Sequence, residues 1–338
     1  MTAMSHRQAS SSRRRALVTG VAALATLARP AARAQSSGAA PVAQVRIGFQ
    51  KSAVNLVVLK QQGALERRFA GSKVQWLEFP AGPQLLEALS VGSLEFGLTG
   101  DSPPVFAQAA GRELFYVGAE PPKPLSSAVL ALQGSPLRNL RDLKGKRIAL
   151  QKGSSSHYLL VRAVEKAGLA WSDIAPIYLA PSDARAAFEK GAVDAWVVWD
   201  PYYAATELDI KPVVIATGTG LSNNNSFYLA SKPFVQEHAG AVQALLAELT
   251  RADAYVQSNR KEAAQLISDF SGLSLATVHL FLSRRPPSPV APLGAALVAD
   301  QQRVADAFLQ QGLIPRAVKV ADIVWSPARA RDLQAKAA

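Results

Sequence analysis

The chain reads as an α/β protein built from two similar lobes. Three observations predict this. Short apolar strands alternate with segments of helical spacing, the alternation occurs twice, and after Ser231 the chain turns mostly helical without a third copy. Strands alternating with helices imply a mostly parallel sheet covered on both faces.

The repeat is visible in the residues themselves. Ile47-Gly-Phe-Gln50-Lys51 is echoed by Ile148-Ala-Leu-Gln151-Lys152. ALSVGSLEFGLTGD (Ala88 to Asp101) is echoed by AFEKGAVDAWVVWD (Ala187 to Asp200), so that at an offset of 99 Gly92 meets Gly191, Glu95 meets Asp194 and Asp101 meets Asp200. Several matches in one order argue for two halves on one plan.

In the first half VRIGF is a strand, and Val54 to Phe69 carries apolar residues at helical spacing. KVQWLEF follows as a strand. Pro83 then opens the helix GPQLLEALSVG, where its missing N–H costs nothing. LEFGL is the third strand. In the second half RIAL, a helix from Ser155 to Ala167, IAPIYL, a helix from Ser182 to Lys190, and VDAWVV repeat the order. The helices after Ser231 are expected to pack back on the first lobe, with two crossings between lobes. The expected division is residues 45–131 plus 232–328 for the first lobe and 132–231 for the second, with 35–44 a linker and 329–338 a tail.

The first 34 residues read as an address. Arg13, Arg14 and Arg15 precede a short apolar run from Ala16 to Leu27, and Ala32-Arg33-Ala34 offers small residues at a peptidase site. The run is shorter than the roughly 20 apolar residues that span a bilayer. Ser12 to Leu17 also approaches a twin-arginine signal, with Ala16 in place of the usual bulky residue. A cleaved export signal ending near Ala34 is expected, and with it a location outside the cytoplasm.

Export changes the charge argument. The net charge of +12 falls to +6 beyond residue 34, because the first 34 residues hold six arginines and no acidic residue. The basic balance therefore gives no case for nucleic acid and suits a protein that handles anionic solutes. The chain has no cysteine, which excludes disulfides, thiolate metal sites and a cysteine nucleophile. His6, His157, His238 and His279 are scattered, so no metal and no cofactor are expected.

Ligands of such sheets bind at the carboxyl ends of the strands. The loops there are Gln50 to Ala53, Ala81 to Gln84, Thr99 to Pro103, Gln151 to His157 and Trp199 to Tyr203. The stretch QKGSSSHYLL places Gly153, Ser154, Ser155 and Ser156 at a strand-to-helix turn. A P-loop order is absent, and Ser156 beside His157 has the wrong spacing for a nucleophile and its base. A helix N-terminus with three hydroxyls suits an anion, although one serine could simply cap the helix. Gly82, Pro83 and Gln84 offer a second helix start. Gln50 is a neutral donor at a strand end, and Asp101 and Asp200 either face the cleft or cap the helices that follow.

The mature chain from about Val45 to Pro327 resembles the periplasmic aliphatic-sulfonate-binding proteins of bacterial ABC importers. The resemblance is carried by EFPAGPQLLEAL, TGDSPPVFAQAAG, YVGAEPPKP, QKGSSSHYLL, ARAAFEKGAVDAWVVWDPYY and the RRPP of Arg284 to Pro287. It implies a two-lobed type 2 periplasmic-binding-protein fold with a ligand cleft between the lobes, and no enzymatic activity. It also implies a monomer that captures an alkanesulfonate and delivers it to a membrane permease driven by a cytoplasmic ATPase, for sulfur acquisition. The implied contacts are the serine turn, Gly82 to Gln84, Thr99, Gly100, Asp101, Glu120 and the loop of Trp199, Asp200 and Tyr202. Trp199 and Tyr202 would face the organic tail. Gly218 to Ala230 departs from the pattern in an asparagine run, which leaves its ligand contacts open. Taurine, nitrate or a sulfate ester are alternative ligands, and an enzyme on the same scaffold is the rival from another class. The missing cysteines and dispersed histidines count against that rival.

Overall fold

The computed structural model describes residues 42–328. The expected export segment, most of the linker and the tail 329–338 lie outside them. The strands are β1 (Gln44–Phe49), β2 (Lys73–Glu78), β3 (Phe96–Gly100), β4 (Leu114–Glu120), β5 (Ser127–Ala131), β6 (Arg147–Leu150), β7 (Ala175–Tyr178), β8 (Ala195–Trp199), β9 (Val213–Thr217) and β10 (Ser226–Ser231). They form two five-stranded sheets in the orders β2-β1-β3-β10-β4 and β7-β6-β8-β5-β9.

The duplication is thus physical. In each sheet the first strand of the repeat pairs in parallel with the second and the third. In each, the fourth position is an antiparallel strand, β10 in one and β5 in the other. The repeat extends to an ion pair. Arg46 N–H donates to the Glu95 carboxylate at 2.6 Å, and Arg147 N–H donates to Asp194 at 2.8 Å, each tying the start of the first strand to the residue before the third.

Two expectations are corrected. Ser127–Ala131 belongs to the second sheet and Ser226–Ser231 to the first, so the lobes change hands near residues 121–126 and 218–225 rather than after 131 and 231. Both are short, mostly apolar runs with serine only at their ends, and their period says nothing about which sheet they join. The helix expected from Val54 to Phe69 is two helices, Val54–Gln61 and Ala64–Arg68, because Gly63 takes a left-handed conformation at φ 60°.

The carboxy-terminal helices cover the first sheet. Ala239–Ser258, Arg260–Ser271 and Leu275–Ser283 pack with Val54–Gln61 around a core containing Leu56, Leu59, Leu245, Leu249 and Val278. Ala295–Gln310 covers the other face, and its Phe308 joins Leu85, Leu89 and Tyr116 together with Tyr158 and Val161 from the second lobe. Among the described residues no helix is long and apolar enough to cross a membrane.

Glycine sets how closely the helix Gly82–Ser90 lies on its sheet. Gly48 and Gly97 pair across β1 and β3 directly beneath Leu85. A Cβ on Gly97 would come within 2.7 Å of Leu85 Cδ2 and 2.9 Å of the Gly48 carbonyl oxygen. Gly97→Ala is therefore expected to destabilise the protein by about 1–3 kcal/mol through overpacking. Urea unfolding checks this, and an unchanged midpoint would show that the helix is free to lift.

Candidate functional site

The carboxyl ends of the parallel strands from both sheets converge on a cavity of about 50 Å³. Seven of the expected residues line it, namely Gln50, Gly82, Gly100, Ser154, Ser155, Trp199 and Asp200. The first lobe also supplies Ser52, Leu98 and Pro103, with Phe281 and Arg285 from the carboxy-terminal region. Lys123, Ser126, Asn224 and Ser226 come from the two crossing segments and the strands they join.

The helix Ser155–Lys166 points its first turn at this cavity. Gly153 at φ 72° makes the sharp turn out of β6, and the Ser154 hydroxyl donates to the Gln151 carbonyl at 2.8 Å. Neither the N-cap Ser154 nor another side chain caps the helix, so no side chain offsets the partial positive charge of its first turn. Capping, the alternative reading of the serines, is not what they do here. Ser156 is fully buried with its Oγ unpartnered, and it does not line the cavity.

The other expected residues stand behind or beside the lining. Pro83 is half-buried and Gln84 exposed in the first turn of Gly82–Ser90. Thr99 is fully buried, and its hydroxyl donates to the Gly100 carbonyl at 3.1 Å. Tyr202 packs edge-on against Trp199, with ring centroids 6.0 Å apart, and only Trp199 lines the cavity. Gln50 is fixed by donating from Nε2 to the Leu98 carbonyl at 3.1 Å. A Cβ on Gly100 would stand 1.9 Å from Ser155 Oγ of the other lobe, so this position has no room for a side chain.

Glu120 is a hub and not a lining residue. Its Oε2 accepts from Lys123 Nζ at 3.1 Å, and its Oε1 from Tyr228 OH at 2.8 Å, Asn55 Nδ2 at 3.3 Å and Arg285 Nη2 at 3.4 Å. Arg285 Nη1 donates to Asp253 at 3.0 Å. Burial alone would raise the Glu120 pKa, but Lys123 and Arg285 outweigh it and hold the carboxyl below its ordinary value. The two cations that line the cavity are thus balanced by Glu120 and Asp253.

Two further carboxylates lie at equivalent places in the repeat. Asp101 accepts from Ser102 Oγ at 2.9 Å and also bonds Ser155 across the cleft; burial pushes it up to about 6. Asp200 accepts from Ala204 N–H and from Arg284 Nη1, and burial pushes it up to about 7.

A model of the family described as NMT1/THI5 like matches residues 68–263. The alkanesulfonate-binding protein SsuA from Xanthomonas axonopodis pv. citri, solved bound to MOPS, is 48% identical, with 85% of this chain and 99% of that one covered at a TM-score of 0.82. The chain belongs to this family of sulfonate-binding proteins. The periplasmic aliphatic sulphonate binding protein SsuA from Escherichia coli is 46% identical over 84% of this chain and 92% of its own, with a TM-score of 0.78. A desulfurization enzyme at 15% identity and a TM-score of 0.63 shares the fold alone. These family relatives are binding proteins, and their fold is the two-lobed one expected from the repeat.

Sequence reasoning missed Lys123, Ser126 and Phe281, and left open whether Arg285, Asn224 and Ser226 reach the site. The motifs held a trace of two of them, since Lys123 lies in YVGAEPPKP and Arg285 in RRPP. What fixes them is long-range pairing that no local pattern reports. Lys51 and Lys152 point elsewhere, the first donating to the Ser271 carbonyl and the second standing over the Tyr178 ring. Among the described residues no cluster of His, Asp and Glu is suited to a metal.

Removing Arg285 strands two buried carboxylates. Arg285→Ala is expected to cost about 3–5 kcal/mol in chemical denaturation, the usual penalty for breaking a buried charge network. A loss below about 1 kcal/mol, the size of an exposed pair, would mean that water replaces the guanidinium.

Proposed function

We propose that this protein captures an alkanesulfonate between its lobes and delivers it to the permease of an ABC importer, acting outside the cytoplasm as a monomer without catalysis. One observation carries the ligand class. The cavity joins uncapped helix N–H groups and two serine hydroxyls to cations whose charge is already balanced. A sulfonate spreads one charge over three oxygens, so donors of this kind satisfy it without a free arginine. Trp199, Leu98 and Phe281 supply apolar surface for a tail, at about 25 cal/mol per Å² buried.

The setting of His157, the histidine beside the serine turn, fits a binding role. His157 accepts the Gly153 N–H at Nδ1, and burial with nearby Lys152 lowers its pKa to about 3. Its ring lies against Phe106, Trp171, Tyr178 and Phe308, an aromatic setting that suits packing between lobes rather than service as a base.

Replacing Ser154 and Ser155 together by alanine tests the head-group site. Each lost bond to a charged group costs roughly 1.5–3 kcal/mol. At about 1.4 kcal/mol per tenfold, the pair should weaken sulfonate binding by about a hundredfold or more. The melting temperature should fall only modestly, because the Ser154 bond to the Gln151 carbonyl and the Ser155 bond to Asp101 are lost but no helix cap is. Unchanged affinity would place the anion elsewhere. Thermal-shift screening against alkanesulfonates, taurine, nitrate and sulfate esters fixes the ligand, and a response to nitrate alone would overturn the sulfonate reading.

Export is tested separately. Protein recovered from the periplasm should begin at or near Gln35, and a chain that still starts at Met1 would refute cleavage.

A further inference from the structure

A carboxyl group lining a pocket for a permanently charged anion is a conflict unless its charge is removed. Asp200 lines the cavity and is 2% exposed. Its Oδ1 accepts from Ala204 N–H at 3.0 Å and from Arg284 Nη1 at 3.2 Å. Its Oδ2 is buried without any hydrogen-bond partner. One oxygen is committed and the other is open.

The charges around it do not compensate fully. Arg284 is shared with Glu207 and stacks on the Tyr203 ring at 3.8 Å. Glu207, from the same helix as Tyr203, adds a second negative charge. Of the cations lining the cavity, Lys123 is engaged by Glu120, and Arg285 by Asp253 and Glu120. Asp101 in the opposite lobe adds a further carboxyl group. An ionised Asp200 would therefore face a bound sulfonate as a like charge in a region of low dielectric.

We propose that Asp200 holds the sulfonate as a neutral acid, with its Oδ2 hydroxyl donating to a head-group oxygen, and is thereby a specificity-determining residue that selects ligands presenting only acceptors at that point. This rests on the sulfonate reading above. The burial that lifts Asp200 to about 7 makes the neutral form accessible near neutral pH. The sign follows from linkage. A ligand that binds only the protonated form raises the group's pKa in the complex. Affinity is then fully present below about 7 and falls as pH rises above it, until the raised value of the complex is passed.

Calorimetric titration with ethanesulfonate from about pH 5.5 to 8.5 tests this, in buffers that are not themselves sulfonates. The expected result is an affinity that falls by up to about tenfold per pH unit above 7, with uptake of about one proton per ligand at about pH 8. Proton uptake is read on the unmodified protein from the dependence of the heat on buffer ionisation. In Asp200→Asn the amide oxygen can keep both Oδ1 donors while Nδ2 replaces the hydroxyl, and the pH dependence and proton uptake should vanish. A flat affinity without proton uptake overturns the proposal. So does an affinity that rises with pH, or a strong preference for an ammonium-bearing sulfonate such as taurine, since either requires the ionised form. Persistence of the profile in Asp200→Asn assigns the proton to another group, Asp101 first, and also overturns it. Absence of sulfonate binding at every pH overturns the functional reading as well, whereas binding with a flat profile overturns this inference alone.

Discussion

Lys123 and Arg285 line the cavity as buried cations only because Glu120 and Asp253 hold them there. A buried cation with no partner would cost several kcal/mol, and a lysine in that position would lose its proton. Burial does lower the Lys123 pKa, while Glu120 works against that shift. The network also gathers distant parts of the chain. Asn55 comes from the first helix, Glu120 from the end of β4, Tyr228 from β10, Asp253 from the helix Ala239–Ser258, and Arg285 from the loop after Leu275–Ser283. The carboxy-terminal helices are thereby tied to the crossing segments as well as to the first sheet. The pocket's base and the junction between lobes rest on one set of bonds.

On that base the two repeats contribute in complementary ways. Each presents a helix start to the cavity, Gly82–Ser90 from one side and Ser155–Lys166 from the other. The first is brought close by the glycine pair under Leu85, while the second meets Gly100 so tightly that no side chain fits between them. On the binding role proposed above, a ligand would meet mostly backbone dipoles and hydroxyls, since Lys123 and Arg285 are already paired. Such donors are fixed in direction and need no counter-ion released, which suits a weakly basic, singly charged head group better than a multiply charged one.

Much of this was legible in the residues. The alternation and the repeat at an offset of 99 gave the two-sheet plan, since period and order are local properties of the chain. The strand-end rule picked out Gln50, Gly82, Gly100, Ser154, Ser155, Trp199 and Asp200, which the fold brings to one cavity. The exchange of β5 and β10 between sheets was not legible, because an apolar strand of five or six residues carries no mark of its neighbours. Trp196 and Trp199 show the limit from the other direction. Both are aromatic and three apart, yet Trp196 packs on Phe188 in the core while Trp199 emerges at the strand end into the cavity. Ser156 and Tyr202 belonged to the right motifs and turned away, a matter of side-chain direction that spacing alone does not settle.

The duplicated aspartates connect the fold to its mechanics. Asp101 ends the third strand of one repeat and bonds Ser155 of the other lobe, and Asp200 ends the third strand of the second repeat and pairs with Arg284 from the first. Each lobe thus reaches across the cleft with the same residue of the shared plan. Opening the lobes would return both carboxyl groups to water and favour their ionised forms, whereas closure buries them and favours the neutral ones. On the binding role proposed above, a ligand that draws the lobes together would favour the neutral forms of both carboxyl groups.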